Sequence, residues 1–261
     1  MDDLRPEWAA LQIPGLKGKR ILVTGASSGI GRGLALAFAA QGCDVVVHCN
    51  RQIAAAREVA GSAMAMGVRA FVVQADLTKS AECRRMVEEA GRSLGGLDGL
   101  VNNVGGLGVR IAAEDVDDAA YERVMDMNAR STLSVSAASI GWLRQQGGFI
   151  INVSSIAARR GGGPGTLLYT ASKGFVSSLT RGLAKELGPR IRVNAISPGV
   201  VDTPFHDVAI ETLSAFAADI PMRRIAQIDD VIGTALYLGS DLLSGYVTGQ
   251  IIEVNGGALM P

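Results

Sequence analysis

Cysteine is scarce in this chain, with three among 261 residues: Cys43, Cys49 and Cys83. Their number is odd and their spacing matches neither a metal-ligand set nor a redox pair. The sequence therefore gives no disulfide framework and no thiolate metal site, and small core or surface residues are the reading. Net charge is absent as well, because 25 basic residues balance 25 acidic ones. Without a clustered basic face there is no general attraction to phosphate backbones or anionic membranes, so neither nucleic acid nor a membrane is an expected partner. No stretch reaches the roughly 18 uninterrupted apolar residues of a membrane span. The opening segment "MDDLRPEWAA" is charged and lacks the apolar core of a signal peptide. A cytoplasmic location is expected. Internal repeats, low-complexity tracts and linkers are also missing, which leaves one domain as the reading.

What the chain does have is apolar substance: 48% of its residues are hydrophobic and 19% charged, the composition of a globular protein with ample core. Apolar β-rich runs alternate with helical patterns. The runs that read as strands are "RILVTG", "DVVVHC", "RAFVVQA", "LDGLVNN", "GGFIINVSS", "IRVNAISPG" and "GQIIEVNGG". Most are short, continuous and rich in Val and Ile without polar alternation, so both faces of the sheet should be covered. Between them lie "IGRGLALAFAAQG" and "AECRRMVEEAGRSLG", with apolar residues at helical spacing. Such alternation implies right-handed crossovers and an α/β fold with one parallel, doubly wound sheet of about seven strands.

In "ILVTGASSGIGRGLALAFAAQG", Ile21 to Gly42, three glycines stand where the first strand turns into the first helix. A helix N-terminus presents unpaired N–H groups and the positive end of its dipole. Gly25 allows a tight turn, Gly29 lets a pyrophosphate approach the backbone, and Gly31 lets the helix pack on the strand, since a side chain would obstruct each. The stretch reads as a phosphate cradle in a Rossmann-type fold. A plain structural turn is the competing reading, because a glycine triplet alone is weak evidence.

The spacing Thr24-Gly25-x-x-x-Gly29-x-Gly31 resembles that of the short-chain dehydrogenase/reductase family, and further motifs follow in the family's order from about Lys17 to the C-terminus. "ADL" at Asp76 is similar to the adenine contact after the third strand. "VNNVG" is similar to the N-N-A-G motif, with Val104 in place of the usual alanine. "MNARS" places Asn128, "INVSS" Ser155 and "YTASK" Tyr169 and Lys173 at the family's catalytic positions, and "SPGVVDT" matches its proline-glycine motif with a later threonine. The resemblance implies a cofactor held by Gly25, Ser27, Ser28, Gly29, Ile30 and Gly31, by Asn50, Arg51, Asp76 and Leu77, and by Asn103, Val104 and Gly105. Tyr169, Lys173, Pro198, Gly199, Val201 and Thr203 complete that set. It also implies an oxidoreductase of the 3-oxoacyl reductase type. The same look is shared by polyol and sugar dehydrogenases.

The chemistry follows from the residues too. Tyr169 and Lys173 are four apart and share one helix face. A tyrosine titrates near pH 10, and a nearby ammonium should lower that value. In the family's mechanism the tyrosine exchanges a proton with the substrate oxygen while hydride moves between the adjacent carbon and the nicotinamide. Ser155 would stabilise charge on the same oxygen, and Asn128 would hold a water linking Lys173 to solvent. Ser155 precedes Tyr169 by fourteen positions, slightly more than expected, with "RRGGGPG" as the insert and Ser154 as the fallback.

Cofactor choice rests on the end of the second strand. An acid there would bind the ribose hydroxyls and repel a 2′-phosphate, whereas a base would welcome it. The chain has Cys49 and Asn50 followed by Arg51, which favours NADP(H) and leaves NAD(H) as the alternative. Arg51 as a solvated loop charge is the competing reading. The substrate, a small molecule, is expected under a loop over about residues 203–224, with Phe205 and His206 as candidate contacts. Arg159 and Arg160 either bind an anionic substrate or are solvated. Family members usually form homotetramers through two long helices and around the last strand, here "YERVMDMNARSTLSVSAASIGWLRQQ", "YTASKGFVSSLTRGLAKELG" and the C-terminal segment. Residues 1–16 precede the family's usual start, as a loose arm or a segment docked on a neighbour. A dinucleotide-binding regulator without turnover is the competing class, against which the intact Ser-Tyr-Lys set argues. Enoyl reductases shift the Tyr-to-Lys spacing, and sugar-nucleotide epimerases favour a different glycine loop.

Overall fold

A computed structural model describes residue 8, residues 10–205 and residues 216–260. All seven apolar runs form strands: β1 Arg20–Val23, β2 Asp44–Cys49, β3 Ala70–Gln74, β4 Gly99–Asn102, β5 Gly148–Val153, β6 Ile191–Pro198 and β7 Ile251–Val254. They build one parallel sheet in the order β3-β2-β1-β4-β5-β6-β7. The expected doubly wound α/β sheet is what the chain adopts. Its winding reverses between β1 and β4, and ligands of such sheets bind at that reversal, beyond the strands' C-terminal ends.

The main helices are α1 Gly29–Ala40, α2 Ile53–Ala65, α3 Ser80–Leu94, α4 Asp118–Met125, α5 Ser131–Leu143, α6 Leu167–Leu187 and α7 Ile228–Gly239. A single π turn, Asp126–Arg130, joins α4 to α5. Successive strand residues enter opposite apolar layers. Ile21, Val23, Val45 and Val47 pack with Leu34 and Phe38 of α1 and Val231 of α7. Leu22 and Val46 pack with Met86 and Val87 of α3, Val135 of α5 and Leu183 of α6. Both faces of the sheet are apolar, which is why these strands show no polar alternation in sequence. All three cysteines are free and buried in these layers, and burial pushes the Cys43 and Cys83 thiols up to about 12 and about 11.

One polar seam crosses the core just below the strands' C-terminal ends. Asn102 Nδ2 donates to Ser136 Oγ and to Asn152 Oδ1, each at 2.9 Å, and Asn152 Nδ2 donates to Thr180 Oγ1 at 2.9 Å. It ties β4 and β5 to α5 and α6, and a buried network satisfied in this way fixes one relative placement. The residues that follow Asn102 and Asn152 in sequence belong to the candidate site.

In its described part the N-terminal segment docks on its own chain. Trp8 Nε1 donates to Asp229 Oδ1 at 2.8 Å, and its carbonyl accepts from Gln41 Nε2 at 2.8 Å. Ile13 N donates to Gln41 Oε1, and Ser240 Oγ to the Pro14 carbonyl. The arm thus straps the end of α1 to α7 of its own chain, with the indole over Gly233, where a Cβ would stand 3.3 Å from the ring. Among the described residues no helix is long and apolar enough to cross a membrane. Trp8→Ala should cost about 2 kcal/mol through lost ring burial and a lost hydrogen bond, lowering Tm by about 4–8 °C. Calorimetry checks this, and an unchanged Tm would show that the strap adds nothing to stability.

Candidate active site

The glycine turn is shaped by contacts that only glycine permits. Gly25 and Gly29 have φ of +63° and +54°, in the left-handed region that side chains disfavour. A Cβ on Gly31 would collide with the Gly25 carbonyl oxygen and with Asn103 Nδ2. Ser28, in extended backbone, precedes α1 and does not cap it with its side chain. The first N–H groups of α1 therefore stay available at the positive end of the helix dipole, where an anion is favoured. Thr203 lies across from them, its Cβ 3.7 Å from the position a Gly29 Cβ would take. The turn fits a dinucleotide's phosphates. The partly buried Ile30 packs against the apolar layer beneath α1.

Two residues outside the expected set hold this turn. Thr24 Oγ1 accepts from the N–H groups of Asn103 and Val104 at 2.9 and 3.2 Å, and Asn103 Nδ2 donates to the Thr24 and Gly25 carbonyls at 3.0 and 3.1 Å. His48, at the end of β2, accepts from Gly25 N–H at 3.0 Å. A single polar residue within the run Val45–Cys49 was the available signal for His48.

At the adenosine end, Asn50 and Arg51 are exposed, Cys49 is buried, and positions 49–52 carry no carboxylate. Ser27 Oγ donates to Gln52 Oε1 at 3.2 Å, and Gln74 Nε2 donates to the Asn50 carbonyl at 2.7 Å. The Asp76 carboxyl is held below its usual range, chiefly by the Thr78 hydroxyl, with Lys79 and Arg51 adding attraction. Leu77 points into the core, so any contact it makes with a ligand comes from its main chain.

The other end of the site gathers Asn128, Ser155, Tyr169 and Lys173, with Asn128 and Lys173 closing on Gly105. A Cβ on Gly105 would stand 2.7 Å from Asn128 Oδ1 and 2.9 Å from Lys173 Nζ. Lys173 Nζ is buried, donates to the Val153 carbonyl at 2.8 Å and lies 5.9 Å from the centre of the Tyr169 ring. Burial lowers its pKa to about 8. Burial also raises the Tyr169 phenol, an effect that hydrogen bonding with the Ser155 side chain partly offsets. This direction is opposite to the one expected from the Lys173 charge. The ammonium donates to a main-chain carbonyl, and desolvation of the phenolate dominates.

Ser154 and Ser155 face different ways. Ser154 Oγ donates to the Lys173 carbonyl at 3.2 Å and lies 2.8 Å from Ser177 Oγ, which commits it to α6. Ser155 Oγ accepts from Ala157 N–H at 3.1 Å and is the serine beside Tyr169. The Asn128 amide is likewise committed: it donates to the carbonyls of Gly106 and Val124 and accepts from Gly106 N–H. It braces the turn after β4 against Lys173. Ile156 N–H donates to the Pro198 carbonyl at 3.0 Å, and Gly199 is pressed against Asn255, so the segment from Pro198 through buried Val201 runs beside Ser155 towards Thr203. The Phe205 ring lies 5.8 Å from that of Tyr169. His206 falls outside the described residues. Arg159 approaches Glu253 at 3.8 Å.

Residues 25–258 match a family model described as enoyl-(acyl carrier protein) reductase. A 3-oxoacyl-[acyl-carrier-protein] reductase of Staphylococcus aureus is 37% identical over 249 residues, which cover 93% of this chain and 98% of the relative. Among solved structures, an NADH-dependent reductase complexed with NAD matches at 35% identity and a TM-score of 0.85, covering 97% of this chain and 100% of that one. A short chain dehydrogenase from Burkholderia cenocepacia in complex with NADP matches at 32% identity and a TM-score of 0.87, covering 93% and 98%. With matches across nearly its whole length, the chain belongs to the short-chain dehydrogenase/reductase family and is an oxidoreductase that uses a nicotinamide dinucleotide on CH–OH and C=O groups.

Proposed function

We propose that the enzyme reduces a ketone to a secondary alcohol with NADPH, and catalyses the reverse reaction, through Ser155, Tyr169 and Lys173 with support from Asn128. The observation that carries this reading is the grouping of these four residues, Asn128 and Lys173 against Gly105, Tyr169 beside Lys173 and Ser155 beside Tyr169, at the end of the sheet where the glycine turn also lies. Gly25–Gly31, Asp76, Asn103–Gly105 and the segment Pro198–Thr203 would hold the dinucleotide. When bound, it supplies or accepts the hydride.

The remaining work falls to the chain's own groups. Because burial raises the Tyr169 phenol, it stays protonated at neutral pH and serves as the acid that hands a proton to the developing alkoxide. The Ser155 hydroxyl donates to the same oxygen and stabilises its charge. The Lys173 ammonium balances the phenolate left on Tyr169, and Asn128 keeps Lys173 in place through the Gly105–Gly106 turn. The ring of Phe205 shields Tyr169 from water on one side, within a substrate loop over about residues 203–224.

A 3-oxoacyl thioester is the first substrate to test, in keeping with the printed activity of the Staphylococcus aureus relative. The description of the matching family model would favour enoyl reduction, against which the four-residue spacing of Tyr169 and Lys173 argues. An NADH-dependent reductase responsible for alginate metabolism supports a second reading, NAD-dependent turnover of a sugar-like substrate. NADP(H) is favoured because Arg51 is exposed beside Asn50 with no carboxylate among positions 49–52.

Tyr169→Phe should lower turnover by about 10²–10⁴-fold while leaving the Kd for NADPH within about threefold of wild type; activity within tenfold of wild type would refute proton transfer by Tyr169. The pH profile tests Lys173. Its ordinary pKa of 10.5 falls to about 8, so the ammonium is complete only below that value. Carbonyl reduction should therefore fall as pH rises through about 8, and a rate constant flat up to pH 10 would remove the ammonium from the mechanism. Arg51→Ala should raise the KM for NADPH about tenfold and that for NADH far less, whereas equal losses would sink the phosphate contact.

A further inference from the structure

β2 is apolar from Val45 to Val47 and then places His48 at the foot of the glycine turn. A ring buried there must satisfy both of its nitrogens within the protein. His48 is 1% exposed and does so with main-chain groups of two different loops. Gly25 N–H donates to Nδ1 at 3.0 Å, and Nε2 lies 3.1 Å from the Ala75 carbonyl oxygen.

The partners fix the protonation state. A main-chain N–H can only donate, so Nδ1 must be bare; a carbonyl can only accept, so Nε2 must carry the hydrogen. One neutral tautomer meets both demands. An imidazolium would set a second N–H against that of Gly25, and burial independently keeps the ring neutral, with its pKa lowered to about 4. The geometry alone decides the tautomer.

The two bonds join the parts of the turn that face away from a ligand. Gly25 N–H goes to the ring, and Ala26 N–H donates to the His48 carbonyl at 2.8 Å. Residue 48 thus takes both donors in the first half of the turn, and those at the start of α1 are left for an anion. On its other side the ring holds Ala75, whose N–H donates to the Cys49 carbonyl at 3.1 Å and which immediately precedes Asp76. A single ring therefore spans the loops after β1 and β3 from the end of β2 between them.

We propose that His48 is a positioning residue of the dinucleotide site, whose Nε2–H imidazole holds the glycine turn at a fixed distance from the Ala75–Asp76 turn. The inference rests on reading Gly25–Gly31 and Asp76 as cofactor contacts. Affinity for the whole dinucleotide then depends chiefly on the Gly25 hydrogen bond, which shapes the phosphate turn, and less on the Ala75 bond, while the Tyr169 end of the site depends on neither.

Fluorescence titration with NADPH and NADH on the full chain tests this with wild type, His48→Asn, His48→Gln and His48→Phe, each checked for folding by circular dichroism. Asparagine places an amide oxygen near the Nδ1 position and keeps the Gly25 bond. Glutamine reaches towards Ala75 and leaves Gly25 N–H unmet, and phenylalanine keeps the ring's shape without either bond. His48→Asn should bind within about threefold of wild type, whereas His48→Gln and His48→Phe should bind at least about tenfold more weakly. If the ring merely fills space, the order reverses, with phenylalanine tolerated and asparagine damaging; that result overturns the proposal, as does equal binding by the Asn and Gln variants. Should His48→Phe fail to fold, the Asn and Gln pair decides. Wild type binding neither dinucleotide would overturn the reading of the site itself, an outcome distinct from wild type binding well and all variants matching it.

Discussion

The hydrogen bonds between Thr24 and Asn103 hold together the two loops at which the sheet reverses its winding. Thr24 Oγ1 accepts from two main-chain N–H groups of the β4 loop, and Asn103 returns its amide to two carbonyls of the β1 loop. Everything at the C-terminal end of the sheet is placed relative to this junction. Gly31 is glycine because α1 begins where the Asn103 amide lies, and Gly105 is glycine because Asn128 and Lys173 close on the same loop two residues later. The phosphate end and the proposed proton-transfer end are thus two sides of one laced pair of loops.

Burying Lys173 has an energetic consequence that sets function against stability. Its pKa falls from 10.5 to about 8, so between those values the unfolded chain binds more protons than the folded one. Stability then rises with pH across that window, and below about pH 8 the fold carries the full penalty of a desolvated ammonium, on the order of 3 kcal/mol. A single hydrogen bond to the Val153 carbonyl, worth about 1.5–3 kcal/mol for a charged donor, offsets part of it. A side chain kept charged at such a cost is more readily explained by chemistry than by architecture. The same low-polarity surroundings raise the Tyr169 phenol, which suits a proton donor at neutral pH better than a standing base.

The sheet was legible in the sequence because parallel strands covered on both faces are written as unbroken apolar runs, and each run bounded by turn residues became a strand. The glycine turn was legible because its spacing is local. Properties that depend on distant partners were not. Trp8 meets Asp229 across 221 positions, and no pattern near either residue announces the other. The choice between Ser154 and Ser155 turns on which hydroxyl α6 captures, and the direction of the Tyr169 shift turns on burial that only the assembled fold creates. Leu77 sits in a motif read as a cofactor contact, yet its side chain belongs to the core; sequence assigns the position without saying which atoms would serve it. His48 is the same case reversed, since a polar residue in an apolar run is visible but its two partners lie 23 and 27 positions away in opposite directions.

The two ends of the site differ in how tightly they are built. Asn128, Ser155 and Lys173 are buried and each is held by at least one main-chain contact, so a substitution there disturbs packing as well as chemistry. At the end of β2, Asn50 and Arg51 are exposed, and the nearest structural tie is a glutamine bonded to a main-chain carbonyl. Exposed loop positions can exchange charge for little loss of stability, typically within about 0.5 kcal/mol. Recognition of a 2′-phosphate can therefore change on this fold while the strands, the glycine turn and the residues around Gly105 stay fixed, and solved relatives that carry NAD and NADP share the fold throughout. On the proposed reading, cofactor preference belongs to a few solvated side chains, and proton transfer belongs to the core.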